Sequence, residues 1–372
     1  MKYLVSPYLR YGYAFEAKKR NNSLFDYLND RPYIVSQNEL KAIRFCYEPR
    51  EKEDIVGEFG EQIFNKLKQS HLILEADTIW EQNHAHHIEI ETSTICNWRC
   101  EYCPVKYNKR IPKYMDLNVF NQIIDRTIEY GHIKYVTLHS YNEPTIDKNF
   151  FNYLKKISQT RLMLTLYTNG SGLDETKINI LKNYKNLRNI VITIPSVNRE
   201  KFEEMTGSRD YDKTIRAIRM AKKEGINVRL SIQGLGDLTH KAEIEALKKE
   251  FSGLLYSQYM SFDRAGTLKN EYNQNLHVGG DYLYGCRSFM EIIPVNVNGE
   301  VFICCNDFYQ KNKLGNILDK PISEVLSGRI ASKYRREIWG GTKVSSDHIC
   351  RKCYLMEVGS KEGTVWKEAK GK

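Results

Sequence analysis

The stretch IETSTICNWRCEYCP, residues 90–104, contains three cysteines with the spacing C-x3-C-x2-C. It overlaps the end of an apolar strand candidate, HIEIET at residues 87–92, so the cysteines are expected on the loop after that strand. Three thiolates on one short loop can hold three irons of a cubane and leave the fourth iron open to another ligand. Zinc is the weaker interpretation, because structural zinc sites need four ligands that usually come in pairs.

Apolar strand candidates alternate with helical stretches from about residue 87 to 270. The strand candidates are HIEIET, YVTLHS, LMLTLYT, NIVITI, VRLSIQ and LLYSQYM. This alternation predicts right-handed βαβ units and a parallel sheet. Six repeats predict an α/β fold with an open, partial (β/α)6 barrel, whose active site lies at the carboxyl ends of the strands.

Composition excludes several classes of protein. Among 372 residues, 41% are hydrophobic and 27% charged, and there is no apolar run long enough to span a membrane. The N-terminus MKYLVSPYLR lacks the apolar core of a signal peptide, so a cytoplasmic location is expected. The net charge of +10 is spread among acidic residues, which favours a solvated surface over nucleic-acid binding. Nine cysteines in a reducing compartment favour cluster or metal ligation over disulfides.

The spacing of Cys96, Cys100 and Cys103, with Tyr102 before the last cysteine, resembles the signature of the radical S-adenosylmethionine (SAM) superfamily. This resemblance implies a 4Fe-4S cluster whose open iron binds the amino and carboxylate groups of SAM. One electron from the cluster then cleaves SAM to a 5′-deoxyadenosyl radical, which abstracts a substrate hydrogen atom. A flavodoxin- or ferredoxin-type protein is the expected electron donor.

Further SAM contacts are expected at the ends of the next strands. SYNEPTID, residues 140–147, resembles the Gly-Gly-Glu segment that receives the methionine amino group, although Tyr141 and Asn142 replace its glycines. YTNGS resembles a recurrent Thr-Asn-Gly element, and a serine ends the fourth strand. A simple turn and a simple strand terminus are the alternatives for these last two features. The predicted SAM contacts are Tyr102, Asn142, Glu143, Thr168, Asn169 and Ser196.

Residues 280–372 hold five of the nine cysteines. Asn298-Gly299 predicts a β-hairpin. The layout resembles the SPASM/twitch extensions of radical SAM enzymes, with too few cysteines for two auxiliary clusters. It implies one auxiliary 4Fe-4S cluster, and a structural zinc is the alternative. The predicted ligands are Cys286, Cys304, Cys350 and Cys353.

Cys304 and Cys305 cannot both be ligands if they are neighbours on a strand, because their side chains then point in opposite directions. The register favours Cys304. Cys305 is then either packed as a small apolar residue or a hydrogen-atom donor to a substrate radical.

Residues 1–80 are expected to form a winged-helix-like domain. SQNELKAIRFCY predicts a helix with Ser36 as N-cap and Glu39 completing a capping box. Residues 53–70 predict a second helix and HLILEAD a short strand. The expected apolar face of the second helix comprises Ile55, Val56, Phe59, Ile63, Phe64 and Leu67.

This region resembles the winged-helix domain that holds leader peptides, by adding the peptide as a strand to a sheet edge. The leading interpretation is therefore an enzyme that crosslinks or epimerises a ribosomally made peptide. The alternative is a dehydrogenase or epimerase for a small molecule such as a sugar, aminocyclitol or nucleoside. A cluster-containing nucleic-acid sensor is disfavoured, since no Arg-rich recognition face is present.

Three lesser features have competing interpretations. HAHH, from His84 to His87, is either a linker or a metal site, and the linker is favoured. Cys46 lies on the apolar face of a helix and is expected to be a buried thiol. Asp263 and Arg264 either line the substrate cavity or form an exposed salt bridge.

Overall fold

The computed structural model describes residues 1–11, 22–107, 109–274, 281–283 and 285–353. The described residues up to His84 contain three helices and two small antiparallel sheets of three strands each. In chain order its elements are β1 (Lys2–Val5), β2 (Leu9–Tyr11), β3 (Ser23–Asp26), β4 (Arg31–Ile34), α1 (Gln37–Phe45), β5 (Arg50–Glu51), α2 (Lys52–Phe59), α3 (Glu61–Gln69) and β6 (Ile73–Glu75).

The helices of this first part follow the sequence prediction with one exception. Ser36 Oγ accepts from the Glu39 N–H at 3.2 Å, and the Glu39 carboxylate accepts from the Ser36 N–H at 2.6 Å, which confirms the capping box. The single helix predicted over residues 53–70 is wrong, because Gly60 at φ 85° separates α2 from α3. The expected apolar face nevertheless packs in the core, which also contains the buried thiol of Cys46.

The next part of the chain alternates strands and helices. Its elements are β7 (His87–Ile90), α4 (Pro104–Tyr107), α5 (Leu117–Tyr130), β8 (Tyr135–Thr137), α6 (Phe150–Ser158), β9 (Met163–Thr168), α7 (Glu175–Lys182), β10 (Leu187–Thr193), α8 (Arg199–Thr206), α9 (Tyr211–Lys223), β11 (Val228–Gly234), α10 (Leu238–Glu250) and β12 (Leu255–Met260). Strands β7 to β12 are parallel, and each of β8 to β12 pairs with the strand before it in the chain. The predicted α/β fold with an open, partial barrel is confirmed.

Three later strands extend the same sheet, and the remaining helices follow or flank them. These elements are α11 (Arg287–Glu291), β13 (Ile292–Val295), β14 (Glu300–Phe302), β15 (Lys313–Asn316), α12 (Ile322–Ser327) and α13 (Arg329–Ile338). β13 pairs in parallel with β7, whereas β14 and β15 are antiparallel, giving the order β12-β11-β10-β9-β8-β7-β13-β14-β15. The predicted hairpin turn is confirmed between β13 and β14, where Gly299 has φ 80°.

The chain separates into two compact units, each made of discontinuous segments. The described residues within 1–84, 277–291 and 326–372 form the first unit, and those within 85–276 and 292–325 form the second. The second unit contains the nine-stranded sheet, and the first contains the two small sheets. Among the helices that the structure describes, none has both the length and the apolar character required to cross a bilayer.

Candidate active site

The loop with the C-x3-C-x2-C motif begins at the carboxyl end of β7, as predicted. Cys103 is followed directly by the short helix α4, and its N–H donates to the Cys100 carbonyl at 3.0 Å. The start of the loop is fixed by Thr94, whose N–H donates to the Lys113 carbonyl at 2.9 Å. The three sulfurs therefore lie where the carboxyl ends of the parallel strands meet, the expected position of an active site.

The chemistry of this donor set fits an iron–sulfur cluster. Burial raises the pKa of the Cys96 thiol to about 12, and burial also raises the pKa of the Cys100 and Cys103 thiols. Bound iron would compensate the charge of the thiolate form, which desolvation disfavours at these half-buried cysteines. Among the described residues no three His, Cys, Asp or Glu side chains are grouped to hold one metal ion. In a cubane each cysteine binds a different iron, so the sulfurs need not converge on one point.

Glu143 lies beside this loop and ties two strand ends together. Its carboxylate accepts hydrogen bonds from Thr145 N at 3.0 Å, from the Thr145 and Thr168 hydroxyls at 2.6 Å each, and from Asn169 N at 2.6 Å. The Glu143 N–H donates to the Ile95 carbonyl at 3.0 Å, next to Cys96. Burial raises the pKa of Glu143 despite these four donors. Glu143 thus joins the ends of β8 and β9 to the cysteine loop.

The other predicted SAM contacts lie at the same edge of the sheet, and most make internal hydrogen bonds. Asn142 Nδ2 donates to Thr92 Oγ1 and to the Leu138 carbonyl, each at 3.1 Å. Ser196 is fully buried after β10, and its hydroxyl accepts from Asn198 N at 2.9 Å. Tyr102 is half-buried with its hydroxyl oxygen buried beside the Cys100 thiol, and desolvation raises the pKa of Tyr102 well above the usual range. The structure brings these residues to one edge, and their contacts with SAM stay predictions.

A cavity of about 320 Å³ opens beside Cys96. Tyr141 and Phe308, whose rings contact edge to face at 4.8 Å, form part of its wall. Arg110 also lines it and is held by two hydrogen bonds to the buried Glu91 carboxylate, at 2.6 and 2.7 Å. A fixed cation and two aromatic rings next to the cluster loop make this cavity a candidate access route for substrate.

A group of polar side chains at β7, β8 and β9 was not predicted from the sequence. We call it the polar face, and it comprises His87, Glu89, Thr137, His139 and Tyr167. Ile88 and Ile90 are buried on the opposite side of β7, so His87 and Glu89 point the other way. His139 Nε2 lies 3.4 Å from Glu89 Oε1, and its ring stacks on Tyr167 at 4.2 Å. The alternation in HIEIE, where polar residues at 87 and 89 alternate with apolar residues at 88 and 90, was the sequence signal that could have revealed this face.

The electrostatics of the polar face are set by burial. Burial raises the pKa of Glu89 to about 7, with partial opposition from the Arg264 guanidinium. Burial, with Arg264 and His87 adding to it, lowers the pKa of His139 to about 3. Glu89 therefore changes protonation near neutral pH while His139 stays uncharged.

Arg264, one of the two residues considered for the lining of the substrate cavity, lies near the polar face. It and Ala265 adopt left-handed backbone conformations, with φ 50° and 53°, which are uncommon for residues other than glycine. Asp263 is buried, which excludes an exposed Asp263–Arg264 salt bridge.

His87 belongs to β7 and contacts Thr137 Oγ1 at 3.2 Å, so the HAHH stretch is a linker only in its first part.

The later cysteines are distributed over both units. Cys286, Cys350 and Cys353 belong to the first unit, and Cys304 and Cys305 to the second. The expectation that the neighbouring pair lies on a strand is wrong, because β14 ends at Phe302. Strand alternation therefore does not set the directions of their sulfurs, and the choice of Cys304 as ligand stays a prediction. No disulfide joins any of the nine cysteines, all of which the structure describes.

Fold and site together define an enzyme class: a parallel α/β sheet that presents three closely spaced cysteines at its carboxyl edge. Residues 90–249 match the radical SAM superfamily, and residues 286–354 match the SPASM iron–sulfur cluster-binding domain. The chain belongs to the radical SAM superfamily and carries a SPASM domain. It is an enzyme that uses SAM, a 4Fe-4S cluster and an auxiliary iron–sulfur cluster.

Known proteins similar to this chain act on different kinds of substrate. It is 23% identical over 278 residues to the SAM-dependent 2-deoxy-scyllo-inosamine dehydrogenase of Niallia circulans, covering 74% of this chain and 95% of that enzyme. Its fold is similar to that of Streptococcus suis SuiB bound to precursor peptide SuiA, with a TM-score of 0.59, 14% identity and coverage of 96% and 94%. It is also similar to anSMEcpe with bound AdoMet, with a TM-score of 0.57, 16% identity and coverage of 76% and 96%.

Proposed function

We propose that this enzyme modifies a ribosomally made precursor peptide by abstracting a hydrogen atom from one of its residues. The observation that carries the proposal is the N-terminal group of helices and small sheets, which precedes the radical SAM region. The fold similarity to peptide-bound SuiB covers 96% of this chain, whereas the similarity to the dehydrogenase covers 74%. An N-terminal region in addition to the radical SAM region suits a large substrate, such as a peptide, that needs its own binding surface.

We propose that the peptide adds as a strand to β6, an edge strand of the β5-β1-β6 sheet. Leu4 and Leu74 are paired, and the Ala76 N–H donates to the Lys2 carbonyl at 3.0 Å. In this antiparallel register the N–H of Glu75 points away from β1. Glu75 N–H is therefore available to pair with a peptide backbone on the open side of β6.

The test removes that single donor. The probe is a synthetic peptide encoded by a short open reading frame searched for beside the gene, and its affinity is measured by fluorescence anisotropy. Glu75→Pro should weaken binding about tenfold or more, because proline removes the outward N–H, and Glu75→Gln, which keeps it, should bind normally. Equal affinities for the two variants would contradict binding at β6.

We propose that the polar face accepts a proton from the substrate during the reaction. Glu89 has a pKa near 7, so its carboxylate accepts a proton at physiological pH, and His139 orients it from 3.4 Å. If Glu89 acts as a base, product formation rises with pH through about 7 in the wild type and loses this dependence in Glu89→Gln. An unchanged pH profile in Glu89→Gln would exclude this role.

A second candidate is favoured by a different observation. The similarity to the 2-deoxy-scyllo-inosamine dehydrogenase extends over 95% of that enzyme, so oxidation of an aminocyclitol or a related small alcohol is the alternative function. Incubation with 2-deoxy-scyllo-inosamine and with the candidate peptide separates the two. If product forms with 2-deoxy-scyllo-inosamine and not with the peptide, the small-molecule dehydrogenase function replaces the peptide-modifying one.

We further propose that an acidic flavodoxin- or ferredoxin-type donor docks on the groove beside Ser171. This groove has a volume of about 890 Å³, and Ser171 Oγ accepts from Asn97 Nδ2 at 2.8 Å, one residue from Cys96. Its basic lining residues are Lys148, Lys177, Lys213 and Arg216. Lys148→Glu with Arg216→Glu should raise the KM for flavodoxin without changing the dithionite-driven rate, and Lys249→Glu on α10 serves as the control. A reduced dithionite-driven rate would contradict a docking role.

A further inference from the structure

Asp210, at the start of α9, contacts the cysteine loop instead of capping its own helix. It occupies the N-cap position of α9, yet its side chain makes no capping hydrogen bond. Asp116, Asp174 and Asp237 occupy the same position in α5, α7 and α10, and each of them caps its helix. An Asp that does not cap its helix is expected to have another use for its carboxylate.

The carboxylate of Asp210 accepts hydrogen bonds from the two residues that follow Cys96. Its Oδ2 lies 3.1 Å from the Trp98 indole Nε1 and 3.2 Å from Asn97 Nδ2. Ser208 Oγ donates to the same oxygen at 3.0 Å, and Lys213 Nζ lies 2.7 Å from Oδ1. Lys213 and Ser208 thus hold the carboxylate toward the loop.

The rest of the loop is anchored to the end of the preceding helix, α8. Arg99 N donates to the Thr206 carbonyl at 3.0 Å, and Glu101 N donates to the Met205 carbonyl at 2.9 Å. The Trp98 ring is 2% exposed and packs edge to face against a phenylalanine of α8. The α8–α9 connection therefore fixes the cysteine loop from Asn97 to Glu101.

The same contacts continue to the residues predicted to bind SAM. Asn97 Oδ1 accepts from Asn169 Nδ2 at 2.9 Å, and Asn169 N donates to Glu143 Oε2 at 2.6 Å. A continuous hydrogen-bonded path thus runs from Asp210 through Asn97 and Asn169 to Glu143. It links the loop after β7 with the ends of β8 and β9.

We propose that Asp210 is a positioning residue of the radical SAM site, which holds the Cys96 loop and the predicted SAM contacts in one arrangement. The inference rests on the assignment of Cys96, Cys100 and Cys103 as cluster ligands. Asp210 acts through Trp98, Asn97 and Asn169. Loss of hydrogen bonds to a charged acceptor changes an equilibrium by about tenfold or more.

The test compares reconstituted holoenzymes with substitutions at Asp210 and at Asp212, an exposed aspartate in the first turn of the same helix. Asp210→Ala should lower dithionite-driven deoxyadenosine formation about tenfold and alter the change that SAM causes in the electron paramagnetic resonance (EPR) spectrum of the reduced cluster. Asp210→Asn keeps one acceptor oxygen and should recover part of both. Asp212→Ala should match the wild type. The proposal is overturned if Asp210→Ala matches Asp212→Ala in rate and spectrum.

A second variant covers the case in which Asp210→Ala loses its cluster. Trp98→Phe keeps an aromatic ring in the same place and removes only the Nε1 donor, so a smaller change in the same rate and EPR response is expected. A wild-type rate and spectrum for Trp98→Phe would then overturn the proposal. Deoxyadenosine formation by an enzyme lacking all three loop cysteines would instead show that the ligand assignment is wrong.

Discussion

The cysteines near residue 100 and those after residue 280 differ in how the chain assembles them. Cys96, Cys100 and Cys103 lie on one loop, directly after β7, in one compact unit. The later cysteines are separated by up to 67 positions in the sequence and divided between two units. Ligands on one loop are held close by the backbone itself, whereas distant ligands depend on the correct folding of every segment between them.

The largest predicted effect distinguishes the three loop cysteines from the later cysteines. Replacing Cys96, Cys100 and Cys103 together by Ala should abolish deoxyadenosine formation while the auxiliary cluster stays bound. Iron should fall from about eight to about four atoms per chain, because each 4Fe-4S cluster contributes four. Iron analysis and chromatographic quantification of deoxyadenosine check this. Loss of all iron would mean that the two groups do not fold independently.

The sequence predicted the loop site because its information is local. A strand candidate of six residues, HIEIET, and a C-x3-C-x2-C spacing place three sulfurs at a sheet edge without reference to the rest of the fold. The strands β7 to β12 were predictable for the same reason, since alternating apolar runs mark each strand. Glu143 was found by resemblance to a motif, although its four internal hydrogen bonds were not foreseen.

The features that escaped prediction depend on distant contacts or on one backbone angle. Apolar periodicity predicted one continuous helix over residues 53–70, whereas the backbone angle of Gly60 divides it into two. Because β14 ends at Phe302, Cys304 and Cys305 do not lie on a strand, and strand alternation does not set the directions of their side chains. Asp210 has no motif, since its partners Asn97 and Trp98 lie more than 110 positions earlier in the sequence.

The second prediction sharpens the comparison at the later cysteines. Cys304→Ala should lose the iron of the auxiliary cluster, and Cys305→Ala should keep it, as the matched neighbouring control. Both variants should retain SAM cleavage, because the loop cysteines are unchanged. Iron content and deoxyadenosine yield are measured for each variant. If Cys305→Ala is the variant that loses iron, the ligand assignment is reversed.

The third prediction concerns the carboxylate that ties the loop to β8 and β9. Glu143→Gln should destabilise the protein by about 2 kcal/mol, because the amide group turns a donor toward Thr168 or Asn169 and leaves a buried N–H or O–H unpaired. SAM affinity should fall as well. Thermal unfolding and SAM titration are compared with Glu175→Gln, an exposed site on α7. Identical behaviour of the two variants would show that Glu143 does not hold the loop.

The smallest predicted effect tests the fit of the loop against α8. Gly207 has φ 60°, and a Cβ there would lie 2.8 Å from the Arg99 carbonyl oxygen. Gly253 has φ 83° with no atom within 4 Å of such a Cβ. Gly253→Ala should therefore cost about 1 kcal/mol from backbone strain alone, and Gly207→Ala should cost more and slow cluster incorporation. Equal costs and equal incorporation rates would show that the loop tolerates displacement.

The most direct test of the central claim is electron–nuclear double resonance of the reduced loop cluster with isotopically labelled SAM. A variant with Cys350→Ala and Cys353→Ala is used, so that the auxiliary cluster does not contribute to the signal. Three cysteine ligands leave one iron open, so couplings from the labelled amino nitrogen and carboxylate oxygen of SAM are expected. A spectrum without these couplings would contradict the assignment of Cys96, Cys100 and Cys103 as the ligands of a SAM-binding cluster.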